Sequence, residues 1–330
     1  MTAPSRAPRA DLVGAGLVAL AAACFGTLGP LSRFAGDAGV GSLTLVTWRA
    51  GIGALVVVAF IGLRRAAGRG GGSAWGGLRS VPVRDRWFMG AAAAANCLLN
   101  FAAFVAFERI EIALTLLVFY LYPAGVAVSS TLWFGERLDR SRWIALAVSL
   151  GGMALVMAGA GQLGELDLVG IGLAFLAALC QVFYVLAARH GFAHVPGPQA
   201  AAFTMGGATI LYLGIAAATL AIADLGQPLA SAAAAWPVLL AGVIGAGIPT
   251  LAFILGIRRL GAPQAAIIST LEPVVGVGLA AWLLGEQPTP IQFLGGALIL
   301  GSAVMLQIAS HTTSEHEAVE VGATERPKPA

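Results

Sequence analysis

The 330-residue chain is 58% hydrophobic and only 11% charged, with a mean hydropathy of +0.86, values that exclude an ordinary water-soluble globular domain. Its net charge of +3 resides in short loops between apolar stretches, which points to a membrane and away from a nucleic-acid partner.

Ten apolar stretches of about 18–25 residues recur along the chain, each long enough as a helix to cross about 30 Å of hydrocarbon. They are expected at 12–34, 43–63, 87–107, 112–134, 143–160, 168–188, 200–223, 236–257, 262–284 and 291–309. The first follows Arg6 and Arg9; it is too long for a signal peptide and has no small-residue cleavage site, so it is read as a retained helix. Residues 1–11 form a short tail before it. The second contains Arg49, which is open to three roles: holding a substrate carboxylate, pairing with an intramembrane acid, or snorkelling to the surface. A Gly- and Arg-rich loop, 64–79, follows, fit to touch anionic lipid.

In the third span Asn96 and Asn100, four apart, share a helix face. The fourth contains Tyr122 and Pro123, and ideal helical spacing turns Tyr120 about 200° away from Tyr122. Gln181 and Tyr184 share a face of the sixth span, and Thr250 lies in the eighth. The ninth contains Ser269, Glu272 and Pro273. Cys24, Cys97 and Cys180 stand alone in separate spans, as packing residues rather than a disulfide framework or metal site. His190, His194, His311 and His316 fall outside the span interiors, and no intramembrane Ser and His pair or paired aspartates occur, so neither an enzyme nor a cofactor is expected. No nucleotide-binding loop is present. The tail 310–330 is polar and expected to be disordered.

The chain repeats itself. "LYPAGVAVSSTLWFGE" (121–136) lies 150 residues before "LEPVVGVGLAAWLLGE" (271–286), matching Leu121, Pro123, Gly135 and Glu136 to Leu271, Pro273, Gly285 and Glu286 without a gap. Leu150 and Gly151 match Leu300 and Gly301 at the same offset, as Asn100 matches Thr250. "GLVALAAACFG" (16–26) resembles "GLAFLAALCQV" (172–182). Five helices per repeat would send the second copy through the membrane upside down. The loops agree: "GERLDRSR" (135–142) has three arginines and its counterpart "GEQPTPIQ" (285–292) has none. Of the 19 Lys and Arg residues, sixteen fall on the side of both termini, Arg33 and Arg109 fall opposite, and Arg49 is intramembrane, which places both termini in the cytoplasm. The fold class is therefore an all-α integral membrane protein of ten transmembrane helices, in two inverted-topology five-helix repeats spanning 12–160 and 168–309.

"YPAGVAVSSTLWFGERLDRSRWIALAVSLGGMAL" and "PTLAFILGIRRLGAPQAAIISTLEPVVGVGLAAWLLGEQPTPIQFLGGALILGSAV" resemble the EamA family of the drug/metabolite transporter superfamily, and the resemblance covers about 12–309. It implies a ten-helix bundle around a central cavity, in a bacterial inner-membrane carrier that often exports amino acids or other small metabolites.

Glu272 lies near the middle of its span, where a charge costs about 3 kcal/mol on insertion scales, so it should face the bundle interior. A carboxyl group can hold either a proton or a charge, which makes Glu272 the candidate for proton coupling or for binding a substrate amine. A structural hydrogen bond is the alternative. Pro123 and Pro273 each remove a backbone donor and predict matched helix-break hinges at the repeat axis. Glu272, Arg49, Asn96, Asn100, Tyr122, Gln181, Tyr184, Thr250 and Ser269 are the candidate binding or coupling residues, suited to a small polar or zwitterionic solute. Gly135, Glu136, Gly285 and Glu286 read as helix termination and loop packing. A non-transporting receptor or scaffold, or an importer, is the alternative function, and no oligomeric partner is indicated.

Overall fold

The computed structural model describes residues 9–68, 81–110, 112–136, 138–159, 167–285 and 287–305. The extreme N-terminal tail, most of the basic loop 64–79, Glu286, His311, His316 and the tail 310–330 lie outside them. The described residues form helices and turns and contain no strand. In chain order these are α1 (Arg9–Gly26), α2 (Leu28–Asp37), α3 (Ser42–Ala66), α4 (Val83–Arg109), α5 (Ile112–Phe119), α6 (Tyr122–Phe134), α7 (Arg140–Gly159), α8 (Leu168–Leu186), α9 (Gly197–Ala218), α10 (Ala232–Gly242), α11 (Ile248–Leu260), α12 (Ala262–Ile268), α13 (Leu271–Leu284) and α14 (Pro290–Met305). Helix is the expected outcome in lipid, because only structures that satisfy every backbone polar group internally can cross hydrocarbon.

Among the described residues, eight segments are long and apolar enough to cross a membrane: Leu12–Asp37, Ser42–Ala66, Leu114–Phe134, Arg140–Gly159, Leu168–Gly191, Gly197–Ala218, Ala232–Leu260 and Ala262–Leu283. Pro290–Met305, within the tenth predicted span, is a shorter apolar helix. α4, with 27 residues over the third predicted span, is not among the eight, so eight of the ten predicted spans are met. The outer surface is apolar, with Leu132, Trp133, Ile210, Trp282 and Phe293 all more than two-thirds exposed. Such a surface suits acyl chains and would aggregate in water. The chain is a multi-pass membrane protein.

Several spans are interrupted, and prolines explain where. Thr27 separates α1 from α2, three residues before Pro30; Tyr120 and Leu121 separate α5 from α6, just before Pro123; Ser269 and Thr270 separate α12 from α13, just before Pro273. A π-helical turn, Val243–Gly247, joins α10 to α11 ahead of Pro249. Each proline lacks the N–H that would bond the carbonyl four residues back. At the last break the carbonyl of Ser269 accepts from the Glu272 N–H at 3.0 Å instead, so the chain tightens and kinks but stays hydrogen-bonded. The break between α5 and α6 recurs between α12 and α13, whereas those at Thr27 and Val243–Gly247 have no counterpart in the unbroken α8 and α4. α6 and α13 also end alike: Gly135 and Gly285 cap them with left-handed φ of 66° and 69°, a conformation that glycine adopts without steric cost.

The halves pack by exchanging equivalent partners. α1 lies along α11 as α4 lies along α8, and α3 lies along α9. Small residues permit the closest approaches. A Cβ on Gly26 would sit 2.7 Å from the Glu272 carbonyl oxygen, and one on Gly295 would sit 2.5 Å from the Gly152 carbonyl oxygen and 2.7 Å from the Val156 nitrogen. α7 and α14 therefore touch backbone to backbone. Backbone cannot rotate away as a side chain can, so Gly295→Ala should cost about 1–3 kcal/mol of stability. Gly301→Ala, where a Cβ meets nothing within 4 Å, should be neutral. Thermal unfolding in detergent, followed by loss of the monodisperse peak, compares the two.

Candidate functional site

Four buried tyrosines mark the interior. The chain has four in all, and Tyr120, Tyr122, Tyr184 and Tyr212 are each exposed by 6% or less. A phenol buried in a bilayer favours polar neighbours, and those neighbours identify the site.

On one side is a positive pole. Arg49 in α3 points inward, with Nη2 at 3.5 Å from Asn100 Oδ1 in α4, a long contact. The Asn100 amide donates to the Asn96 carbonyl at 2.7 Å, which leaves its oxygen turned to the guanidinium. Tyr212, from α9, adjoins Asn100 and lies within electrostatic reach of Arg49. Three helices thus hold one cation away from the surface, which removes snorkelling from its possible roles.

Facing it is a negative pole. Glu272 stands in the first turn of α13, just past the kink, and its carboxyl group lies within electrostatic reach of Tyr120 and Tyr122. Tyr122 adjoins Ser269, whose Oγ donates to the Ala265 carbonyl at 2.9 Å. Phe119 packs on both tyrosines, with ring centroids at 5.3 and 5.4 Å.

The placement of Tyr120 corrects the expectation that it points away. Ideal spacing holds only in an unbroken helix, but Leu121 N–H bonds the Val118 carbonyl at 3.2 Å, a tighter i→i+3 turn. Each residue there rotates by about 120°, so Tyr120 and Tyr122 flank Glu272 from two sides.

Arg49 and Glu272 act on each other as opposite charges, yet no direct ion pair joins them. Both are half-buried while the tyrosines around them are buried, so each keeps surface open to a water-sized group. The structure brings together Arg49, Asn96, Asn100, Tyr122, Ser269 and Glu272 from the predicted set, with Pro123 and Pro273 at the kinks beside them. Tyr184 lies elsewhere, beside Thr204. Gln181, half-buried, and Thr250, buried, make no polar contact with this assembly among the described residues. Sequence reasoning missed Tyr120 and Tyr212; the scarcity of tyrosine in a chain with four was the available signal.

A model of the EamA-like transporter family matches the chain twice, over residues 12–158 and 168–308. An uncharacterized transporter of Archaeoglobus fulgidus is 25% identical over 285 residues, covering 84% of this chain and 91% of that protein. The uncharacterized transporter YdfC of Bacillus subtilis is 28% identical over 185 residues, 54% of this chain and 57% of its own length. YxxF of the same organism, also an uncharacterized transporter, is 27% identical over 224 residues, 66% of this chain and 70% of that one. A solved structure, described only as a protein crystal structure, superposes with a TM-score of 0.74 at 22% identity, covering 92% of this chain and 98% of that one; it is alike in fold.

Proposed function

Because the chain belongs to the EamA-like transporter family, we propose that it is a secondary active or facilitative transporter that moves a small zwitterionic metabolite, such as an amino acid, across the bacterial inner membrane. Ten helices in two inverted repeats, 12–160 and 168–309, rock about a midplane cavity, with both termini in the cytoplasm and net movement outward. The loss of arginines between the two GE loops supports the inversion, as does the exchange of equivalent helix partners.

The observation that carries the substrate reading is the pair of poles. Arg49 offers donors to a carboxylate, Glu272 offers a charge to an amine, and neither is neutralised by the other at contact distance. A zwitterion between them satisfies both, and tyrosine hydroxyls line the way. Reconstituted vesicles preloaded with an unlabelled amino-acid mixture should accumulate a labelled member by counterflow; vesicles that exchange none of them, with inserted protein verified, would remove the reading.

A further inference from the structure

At the arginine-rich end of the bundle, two carboxylates of the first repeat meet one short segment of the second. Glu136, just past the Gly135 cap of α6, lies with Oε1 at 3.6 Å from Arg189 Nε and 3.3 Å from His190 Nε2. His190 is also stacked on Phe134, with centroids 3.9 Å apart and rings 5° from parallel. Asp85, near the start of α4 and 2% exposed, meets His194 Nδ1 at 3.2 Å. All three bases sit between Arg189 and His194, and the segment opens as a π-helical turn, Ala187–Gly191, a departure from α geometry common at functional positions.

Within its own repeat that segment is bound far more thoroughly. Arg258 of α11 donates to the carbonyls of Ala188, Phe192 and Val195 and lies over the Phe192 ring, while Arg189 donates to the Arg258 carbonyl. Phe192 is fully buried. The segment must therefore travel with the second repeat, and the contacts able to part are those with Glu136 and Asp85. A cavity of about 240 Å³, bounded in part by Glu136, Arg142, Arg189 and Pro263, adjoins them and leaves room for the side chains to separate. The Glu136 pairs are partly exposed on both partners and His194 is largely exposed. Contacts of this kind are weak, as a contact broken and remade in each cycle must be.

We infer that Glu136 and Asp85 form a two-point latch on Arg189, His190 and His194 that closes the cavity at the cytoplasmic mouth and is released when that mouth opens. The inference rests on the alternating-access reading above, but its readout is accessibility and needs no transported solute. The test uses the full-length chain with Cys24→Ala, Cys97→Ala and Cys180→Ala, and Asn96→Cys as the cavity reporter. Labelling by a membrane-impermeant maleimide is timed in right-side-out and in inside-out vesicles. Glu136→Gln/Asp85→Asn, which keeps both shapes and removes both charges, should label several-fold faster from the cytoplasmic face and slower from the outer face, with each single variant in between. Unchanged rates at both faces overturn the latch. So do equal increases at both faces, which mean loosened packing rather than a shifted population. Failed counterflow with a reciprocal labelling shift would remove the solute reading and leave the latch standing.

Discussion

Glu272→Gln should abolish the pH dependence of transport and lower the transport of an amine-bearing solute by at least about a hundredfold, since removing one partner of a buried charge pair costs about 3–5 kcal/mol. The substitution is chosen for what it preserves. Gln has nearly the same volume and can still face Tyr120, and the backbone contact of Glu272 with Gly26 and the kink at Pro273 do not change. What disappears is the negative pole and the capacity to exchange a proton. The measurement is uptake into oriented vesicles across a range of pH, with the inserted amount normalised by protease protection. Undiminished, pH-dependent uptake by a correctly inserted Gln variant would sink the coupling role and leave Glu272 as a structural hydrogen-bond partner. Glu272→Asp, one methylene short of Tyr120, should retain the pH dependence at reduced rate.

The repeat was legible because it is written in residues with strong backbone consequences. Pro123 and Pro273 set the two kinks, and Gly135 and Gly285 recur as left-handed caps at the same offset. Glu272 and Arg49 stood out because charges at that depth require an interior. The packing glycines were not legible. Gly151 and Gly301 match in sequence yet face open space, while the close contact falls on Gly152 and Gly295, a choice fixed by helix rotation that spacing alone leaves open. Tyr120 was misplaced for a related reason: helical arithmetic fails across a break, and the break belongs to the site. Glu136 was read as a helix terminator. Its N–H does bond the Ser130 carbonyl at 3.1 Å, but the approach of Arg189 and His190 comes from a segment more than 50 positions away, which no local pattern encodes.

Arg49→Gln should separate the two ends of the substrate. Arg49 stays charged under any ordinary condition, so its role is tied to a permanent anion or acceptor, and the site gives it one fixed acceptor in Asn100 and a distant carboxylate in Glu272. The remaining guanidinium donors are free to take a carboxylate in the plane of the fork, a geometry that lysine lacks. Counterflow of an amino acid should therefore fall by about a hundredfold in Arg49→Gln, the loss expected when a buried charge pair is broken. Counterflow of the amine left by decarboxylating that amino acid should fall much less. Arg49→Lys should recover only part of the difference. An equal loss for both solutes would mean that Arg49 holds α3, α4 and α9 in place and does not read the carboxylate. Together with the Glu272 series, the two solutes assign one charge of the substrate to each pole: the amine responds to Glu272→Gln whether or not a carboxylate is present, and only the carboxylate-bearing solute responds fully to Arg49→Gln.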